Sequence, residues 1–435
     1  MEIQLISHAS VVIATDVKIL TDPWFFGKAF NDSWSLYPEP PELDDSFFDS
    51  IDYLYISHEH PDHFHIPTLR SLPGSFKNRV IVLFQENNSE KVSNALKRLG
   101  YPNSKALPHD KIVALTEKTK VYCYESGSMD SALGVISDDQ VVLNINDCEI
   151  NKRDCRRILR SLGKVDVALN QFSIAGYSGF KERDKYLPAQ AKKVLQKMLN
   201  NHIDLKAGAT VPFASFIYFS SEDNRYINEY SNKPRDAFDH FTEHSQKLVP
   251  LFLGDRYEVG SDHDPQSSLQ RFEEQYADPV SLVFDNVGSV SVEEIQGSFD
   301  KLVDQIHKRY PGTLLRLFKP VIVKIPDLDT TIVFSIRTGE FRVDNDADPD
   351  LEIRSEPLHF GFSFPYGIQT LGVSARYTLL KGFRNWQLHR ILFSLNNAEV
   401  YLRPKLFFTH KNVSFFWTRL PGAINQIAYR LKVMR

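Results

Sequence analysis

Three imidazoles and two carboxylates fall within six residues of this chain, in His58-Glu59-His60-Pro61-Asp62-His63. Imidazole nitrogen together with carboxylate oxygen suits zinc, iron or manganese. Histidines gathered on an ordinary surface loop would only be solvated, so the preceding residues decide the matter. Ile51-Asp52-Tyr53-Leu54-Tyr55-Ile56 is an apolar, β-prone run that ends at Ser57. It reads as a buried strand. Side chains just past the end of a strand can turn toward one point, which is what a bound cation requires.

The pattern H-x-H-x-D-H resembles the signature of the metallo-β-lactamase fold. The resemblance implies an αββα sandwich. His58 and His60 would serve one metal position, Asp62 and His63 a second. A bridging aspartate is matched by Asp147, which ends Val141-Val142-Leu143-Asn144-Ile145-Asn146-Asp147 where such proteins usually show Gly-Asp. Asp22 follows an early strand and would support the histidines by hydrogen bonding. His8, in the same first hairpin, is taken as a second supporting residue. Asp62 or Asp147 would aid proton transfer.

Two of the histidines usual in this fold have no counterpart. The matching zones read Glu125-Ser126-Gly127-Ser128-Met129-Asp130-Ser131 and Val211-Pro212-Phe213-Ala214-Ser215-Phe216. Either Glu125, Asp130 or Glu222 takes their place, or one metal position is lost. His109 and His65 are further candidates. Fewer histidines and more carboxylates lean away from zinc, toward iron or manganese.

Val211 to Phe216, Ser220-Ser221-Glu222-Asp223-Asn224-Arg225-Tyr226 and the Asn146-Asp147-Cys148 turn resemble CMP-N-acetylneuraminate hydroxylase and its relatives. So do Asp348-Pro349-Asp350-Leu351-Glu352-Ile353 and Pro357-Leu358-His359-Phe360, in a later part that looks sterol-carrier-like. The resemblance implies an iron-dependent oxygenase, with one or two ions, acting on a polar substrate, nucleotide-linked ones included. That family also uses a Rieske centre, which needs Cys-x-His pairs. None of Cys123, Cys148 and Cys155 has a histidine two positions on. Electrons would then come from a separate donor protein, from the substrate or from an external reductant. A metal-dependent hydrolase of lactonase or phosphodiesterase type, and a degenerate site used only for binding, stay open beside the oxygenase.

The rest of the chain frames this site. A length of 435 residues is too great for one ordinary core. We expect a metal domain over 1–284 and a smaller α+β domain over 285–435. Hydrophobic and charged contents of 42% and 24% are those of a soluble globular protein, and a net charge of −4 argues against a nucleic-acid partner. The unpatterned cysteines suggest a reducing, cytoplasmic setting. No apolar run has transmembrane length, and a small-molecule substrate is expected.

Short strands are expected through residue 150. A loop over 31–48 would overhang the site, and loops and helices over 215–264 would cover it. Helices are expected at Ser89 to Leu99, Pro188 to Asn201 and Val292 to Tyr310. Tyr177, Lys181, Arg183, Lys185 and Arg225 are candidates for binding a phosphate or carboxylate. The acid-free stretch 400–435 mixes basic residues with Phe407, Phe408, Phe415, Phe416 and Trp417. It is either an anionic-partner surface or a packed segment with a solvated basic face.

Overall fold

The structure, a computed structural model, describes residues 1–86, 89–127, 129–277, 282–285 and 288–403. Most of the aromatic and basic stretch at 400–435 therefore lies outside the described residues.

Two sheets face each other in the first part of the chain. One has seven strands, ordered Arg256–Glu258, Glu2–Leu5, Val11–Ala14, Lys18–Thr21, Tyr53–Ile56, Ile81–Gln85 and Ser104–Leu107. The other has five, ordered Thr119–Ser126, Asp130–Ser137, Gln140–Asn146, Val167–Gln171 and Ala209–Phe213. Strand side chains alternate between faces, and the core follows that alternation. Ile3, Leu5, Ile13, Ile19, Tyr55 and Leu83 meet Val121, Leu133, Val142, Leu169 and Val211 in one buried cluster between the sheets.

The outer faces are covered by helices. Leu20, Leu54, Ile56, Val82 and Phe84 pack on Phe48, Leu69, Phe76 and Leu96. Tyr122, Leu143, Ile145 and Ala168 pack on Cys155, Ile158 and Leu205. The result is the expected αββα sandwich. The strand expected to carry the histidines, Tyr53–Ile56, is central, paired in parallel with Lys18–Thr21 and Ile81–Gln85. That central placement fixes where Ser57 and the histidines emerge.

Several expectations need correction. Residues 31–48 are not all loop. Trp34–Leu36 pairs with Ile217–Phe219, and Asp45–Asp49 is a helix capped by Asp44. The partner strand is some 180 residues away, and short-range patterning carries no trace of such pairing. Residues 215–264 do more than cover the site, because Arg256–Glu258 returns to pair with Glu2–Leu5 at the sheet edge. The helix expected to begin at Pro188 runs over Arg183–Leu205, with the proline inside. The backbone bond that Pro188 cannot make falls on Asp184, which is exposed near the helix start, where water can replace it.

The later part builds a second core. A sheet ordered Glu340–Val343, Thr330–Ser335, Val321–Ile325, Leu351–Glu352 and Thr378–Leu379 packs against the Val292–Arg309 helix. Ser291 and Glu294 form a capping box at that helix start. Phe299, Leu302 and Ile306 are its buried stripe. Ser355–Ser363, Gly367–Ser374 and Phe383–Asn397 complete the helical layer. Among the described residues no helix is long and apolar enough to cross a membrane.

His389 sits inside this second core at 0% exposure, against Phe318 and Phe334. Its Nδ1–H donates to the Asn385 carbonyl at 2.8 Å. Burial pushes the imidazole down to about 4, the carbonyl bond only partly opposing this. Below about pH 6.5 the unfolded chain takes up a proton that the folded chain refuses, so stability falls as pH drops toward 4. The lost stability is at most about 3 kcal/mol. His389→Leu should remove that share of the acid lability, seen as a smaller drop in urea midpoint between pH 7 and pH 4.5 than in the parent.

Candidate metal centre

Ser57 is the residue from which the site is organised. Its amide donates to Asp22 Oδ1 at 2.8 Å and its hydroxyl to Asp22 Oδ2 at 2.6 Å. The same Asp22 oxygen accepts from His63 Nδ1 at 2.9 Å. Asp22 is wholly buried and holds φ at +35°. The Ser57 carbonyl is held in turn by Gln85 and Ser131, at 3.0 and 2.6 Å. With Nδ1–H committed to Asp22, His63 turns Nε2 inward as the nitrogen left for a cation.

Two groups of donors converge there. His8, Asp62 and His63 form one, and His58, His60 and Asp130 the other. Asp62 Oδ2 lies 3.3 Å from His8 Nε2 and 3.3 Å from His63 Nε2. His58 Nε2 lies 2.8 Å from His60 Nδ1 and 3.9 Å from Asp130 Oδ1. Asp147 spans both groups, with Oδ1 at 3.6 Å from His63 Nε2 and Oδ2 at 3.8 Å from His58 Nε2. His63 Nε2, Asp62 Oδ1, Asp130 Oδ1 and Asp147 Oδ1 are buried without a hydrogen-bond partner. Buried polar atoms are normally satisfied, and divalent cations placed among these would satisfy them together. The residues present therefore fit a metal centre.

Local backbone aims Asp147. Asn146 holds φ at +48°, donates to the Ser131 carbonyl at 3.0 Å and accepts the Asp147 amide at 2.6 Å. Asparagine tolerates the left-handed region better than most residues, which explains why it can stand where glycine is usual. The Asp130–Ser137 strand aims Asp130, because its register sets Ser126 opposite Asp130 and Glu125 opposite Ser131.

The charges are strongly coupled. Burial, and then His63, push His58 well below the usual imidazole range. A neutral imidazole is the form that ligates. Burial alone would lower His63 too, but Asp62, Asp147 and Asp22 outweigh it and hold it well above its usual value. Burial, and then Asp147, push Asp130 well up. Against the burial that would raise them, His63 holds Asp62 well down, and His63 with His58 holds Asp147 down.

The structure thus brings His58, His60, Asp62, His63 and Asp147 together, with Asp22 behind His63. His8, expected as a supporting residue, sits among the inner donors instead. Of the substitutes considered, only Asp130 joins. Glu222 pairs with Arg225, and Glu125 belongs to neither donor group. His109 Nδ1 accepts the Glu125 amide at 2.9 Å. His65 caps the Ile66–Ser71 helix through Thr68 and packs on Trp24. Lys181, Arg183 and Lys185 gather with Tyr226 and Tyr230 around a surface hollow. Neither they nor Tyr177 is hydrogen-bonded to a donor of the centre.

One wall was not foreseen. Phe30, Asn31 and Asp32 hold φ at +54°, +57° and +55° in succession. Asn31 and Asp32 tolerate this region, but for Phe30 it costs about 1–2 kcal/mol. Phe30 lies 4.6 Å from Trp34 and 6.0 Å from His60, ring to ring, while Trp24 and Trp34 flank His8.

Part of this chain is similar to known proteins. Residues 2–134 match the β-lactamase superfamily domain, and the chain carries a metallo-β-lactamase-fold domain. Over its N-terminal half it is homologous to cytidine monophosphate-N-acetylneuraminic acid hydroxylase. It is 27% identical to the Danio rerio protein over 249 residues, which is 53% of this chain and 41% of that one. It is 26% identical over 250 residues to the Homo sapiens protein, described as inactive, covering 54% and 48%. The chain thus spans less than half the length of these relatives. An isothiocyanate hydrolase from Delia radicum gut bacteria superposes with a TM-score of 0.45 at 15% identity, covering 60% of this chain and 100% of that one.

Proposed function

We propose that this chain is a metal-dependent oxygenase that holds two iron ions and hydroxylates a polar small molecule. The observation that carries the reading is the carboxylate content of the centre. One carboxylate, Asp147, faces both donor groups, and Asp130 stands beside His58 and His60. Oxygen-rich sites of this kind favour iron or manganese over zinc. Homology to hydroxylases supports oxidation over hydrolysis.

In this reading His58, His60, Asp130 and Asp147 hold one ion, and His8, Asp62, His63 and Asp147 hold the other. The ions supply redox or Lewis-acid chemistry when bound. Asp22 fixes the His63 tautomer. Asp62 and Asp147 are the acids placed to carry a proton away from substrate. The aromatic wall of Trp24, Phe30 and Trp34 excludes water from one side. The buried, unpaired thiols of Cys123, Cys148 and Cys155 support a reducing, cytoplasmic setting. We read residues 1–284 as the metal domain and 285–435 as the second domain.

The match to the β-lactamase superfamily favours one other reading, a zinc or manganese hydrolase using the same donors. Oxygen uptake separates the two. Iron-loaded protein given a chemical reductant and CMP-N-acetylneuraminate, the first substrate to try given the relatives, should consume oxygen well above the metal-free rate. No uptake with any polar sugar nucleotide, together with lactone or phosphodiester cleavage by the zinc-loaded protein, would replace the oxygenase with the hydrolase.

A further inference from the structure

The left-handed turn at Phe30-Asn31-Asp32 is held by the far half of the chain. Arg376 is 4% exposed, and each of its three guanidinium nitrogens donates a hydrogen bond. Nη1 donates to the Asn31 carbonyl at 3.0 Å, Nη2 to Glu356 at 2.9 Å and Nε to Asp223 at 3.2 Å. Glu356 also accepts both bonds from the Asn31 amide group, at 3.0 and 3.2 Å. Asn224 joins the Ser33 and Ser374 carbonyls at 3.1 and 2.8 Å. Phe30 therefore keeps a disfavoured left-handed backbone because a buried fork holds the adjoining Asn31, and such strain gathers where function needs a fixed shape.

We infer that Arg376 and Glu356 are positioning residues for the metal centre, clamping this turn so that Phe30 stays over His60 and screens that side of the donors. The inference rests on the proposed function for the presence of the ion. A planar guanidinium can serve three differently placed acceptors at once, and a lysine ammonium cannot reproduce that fork. The clamp explains why residues nearly 350 positions apart in sequence meet at the site. It also makes the second half of the chain part of the site's architecture, although among the described residues it supplies no donor to either group.

The test uses the full-length protein with two variants, Arg376→Lys, which keeps the charge and loses the fork, and Phe30→Ala, which removes the screen and leaves the fork. Hydrogen–deuterium exchange without metal should show amides 29–34 exchanging at least tenfold faster in Arg376→Lys, with the central strands unchanged. After loading with zinc alone, both variants should release the ion to EDTA at least tenfold faster than the parent. Unchanged exchange in Arg376→Lys, or parental release rates in both variants, would overturn the clamp and leave the proposed function standing. A parent chain that takes up no ion would overturn the proposed function, and the clamp's role with it.

Discussion

Asp147→Asn is expected to empty both metal positions at once. The two Asp147 oxygens face different histidines, at 3.6 and 3.8 Å. Asparagine offers one oxygen and an NH₂ group that cannot ligate, so the link between the positions is lost. Bound metal should fall from two ions per chain to less than one. Turnover should fall by about 10³-fold, more than the 10- to 100-fold typical of losing an outer-shell partner. The backbone at this turn is held by the Asn146 side chain, so circular dichroism should match the parent. Metal analysis by plasma mass spectrometry on the same sample checks the claim. Retention of two ions would show that Asp147 is a bystander.

Asp22→Asn tests the support behind the centre. Asp22 accepts three hydrogen bonds, from the Ser57 amide, the Ser57 hydroxyl and His63 Nδ1. An asparagine oxygen can stay on the Ser57 amide only by turning its NH₂ toward His63. His63 must then accept through Nδ1 and carry its proton on Nε2, the nitrogen that faces Asp62 and Asp147. The opposite flip sets NH₂ against the Ser57 amide, two donors facing each other in a fully buried space. Either way metal affinity should drop about 10- to 100-fold, and stability by about 1–3 kcal/mol. Isothermal titration of the metal-free protein and urea unfolding measure the two separately. Unchanged affinity with lowered stability would reduce Asp22 to a packing role.

What was legible in the sequence was whatever short-range chemistry writes down. The His58 to His63 run follows an apolar strand, and its spacing alone places four donors at a strand end. Asp22 and Asp147 each end a β-prone run, and the resemblance to the metallo-β-lactamase fold is what pointed to them. Asp130 was one of three equivalent carboxylates. Only the hairpin register, with Ser126 opposite Asp130, separates it from Glu125. A signal existed in Asp130-Ser131-Ala132-Leu133, a polar start to an apolar strand, but it does not say where the strand end points. His8 read as a supporting residue because nothing local shows the first hairpin folding its tip onto Asp62.

The wall was the least visible part. Asn31 and Asp32 tolerate the left-handed region and mark a turn, but Phe30 does not, and nothing local says that the turn begins there or where it points. It exists because Arg376 and Glu356 arrive from the other half of the chain. For the same reason the pairing of Trp34–Leu36 with Ile217–Phe219 was hidden. The Ser220 to Tyr226 stretch, singled out as resembling the hydroxylase family, has its place at this seam, where Asp223 meets Arg376 and Asn224 bridges two carbonyls.

Metal stoichiometry of anaerobically purified parent protein tests the central claim most directly. Two transition-metal ions per chain are expected, with iron in excess over zinc. Protein that stays free of metal after reconstitution with ferrous iron, manganese and zinc in turn would contradict a two-ion centre built on His8, His58, His60, Asp62, His63, Asp130 and Asp147.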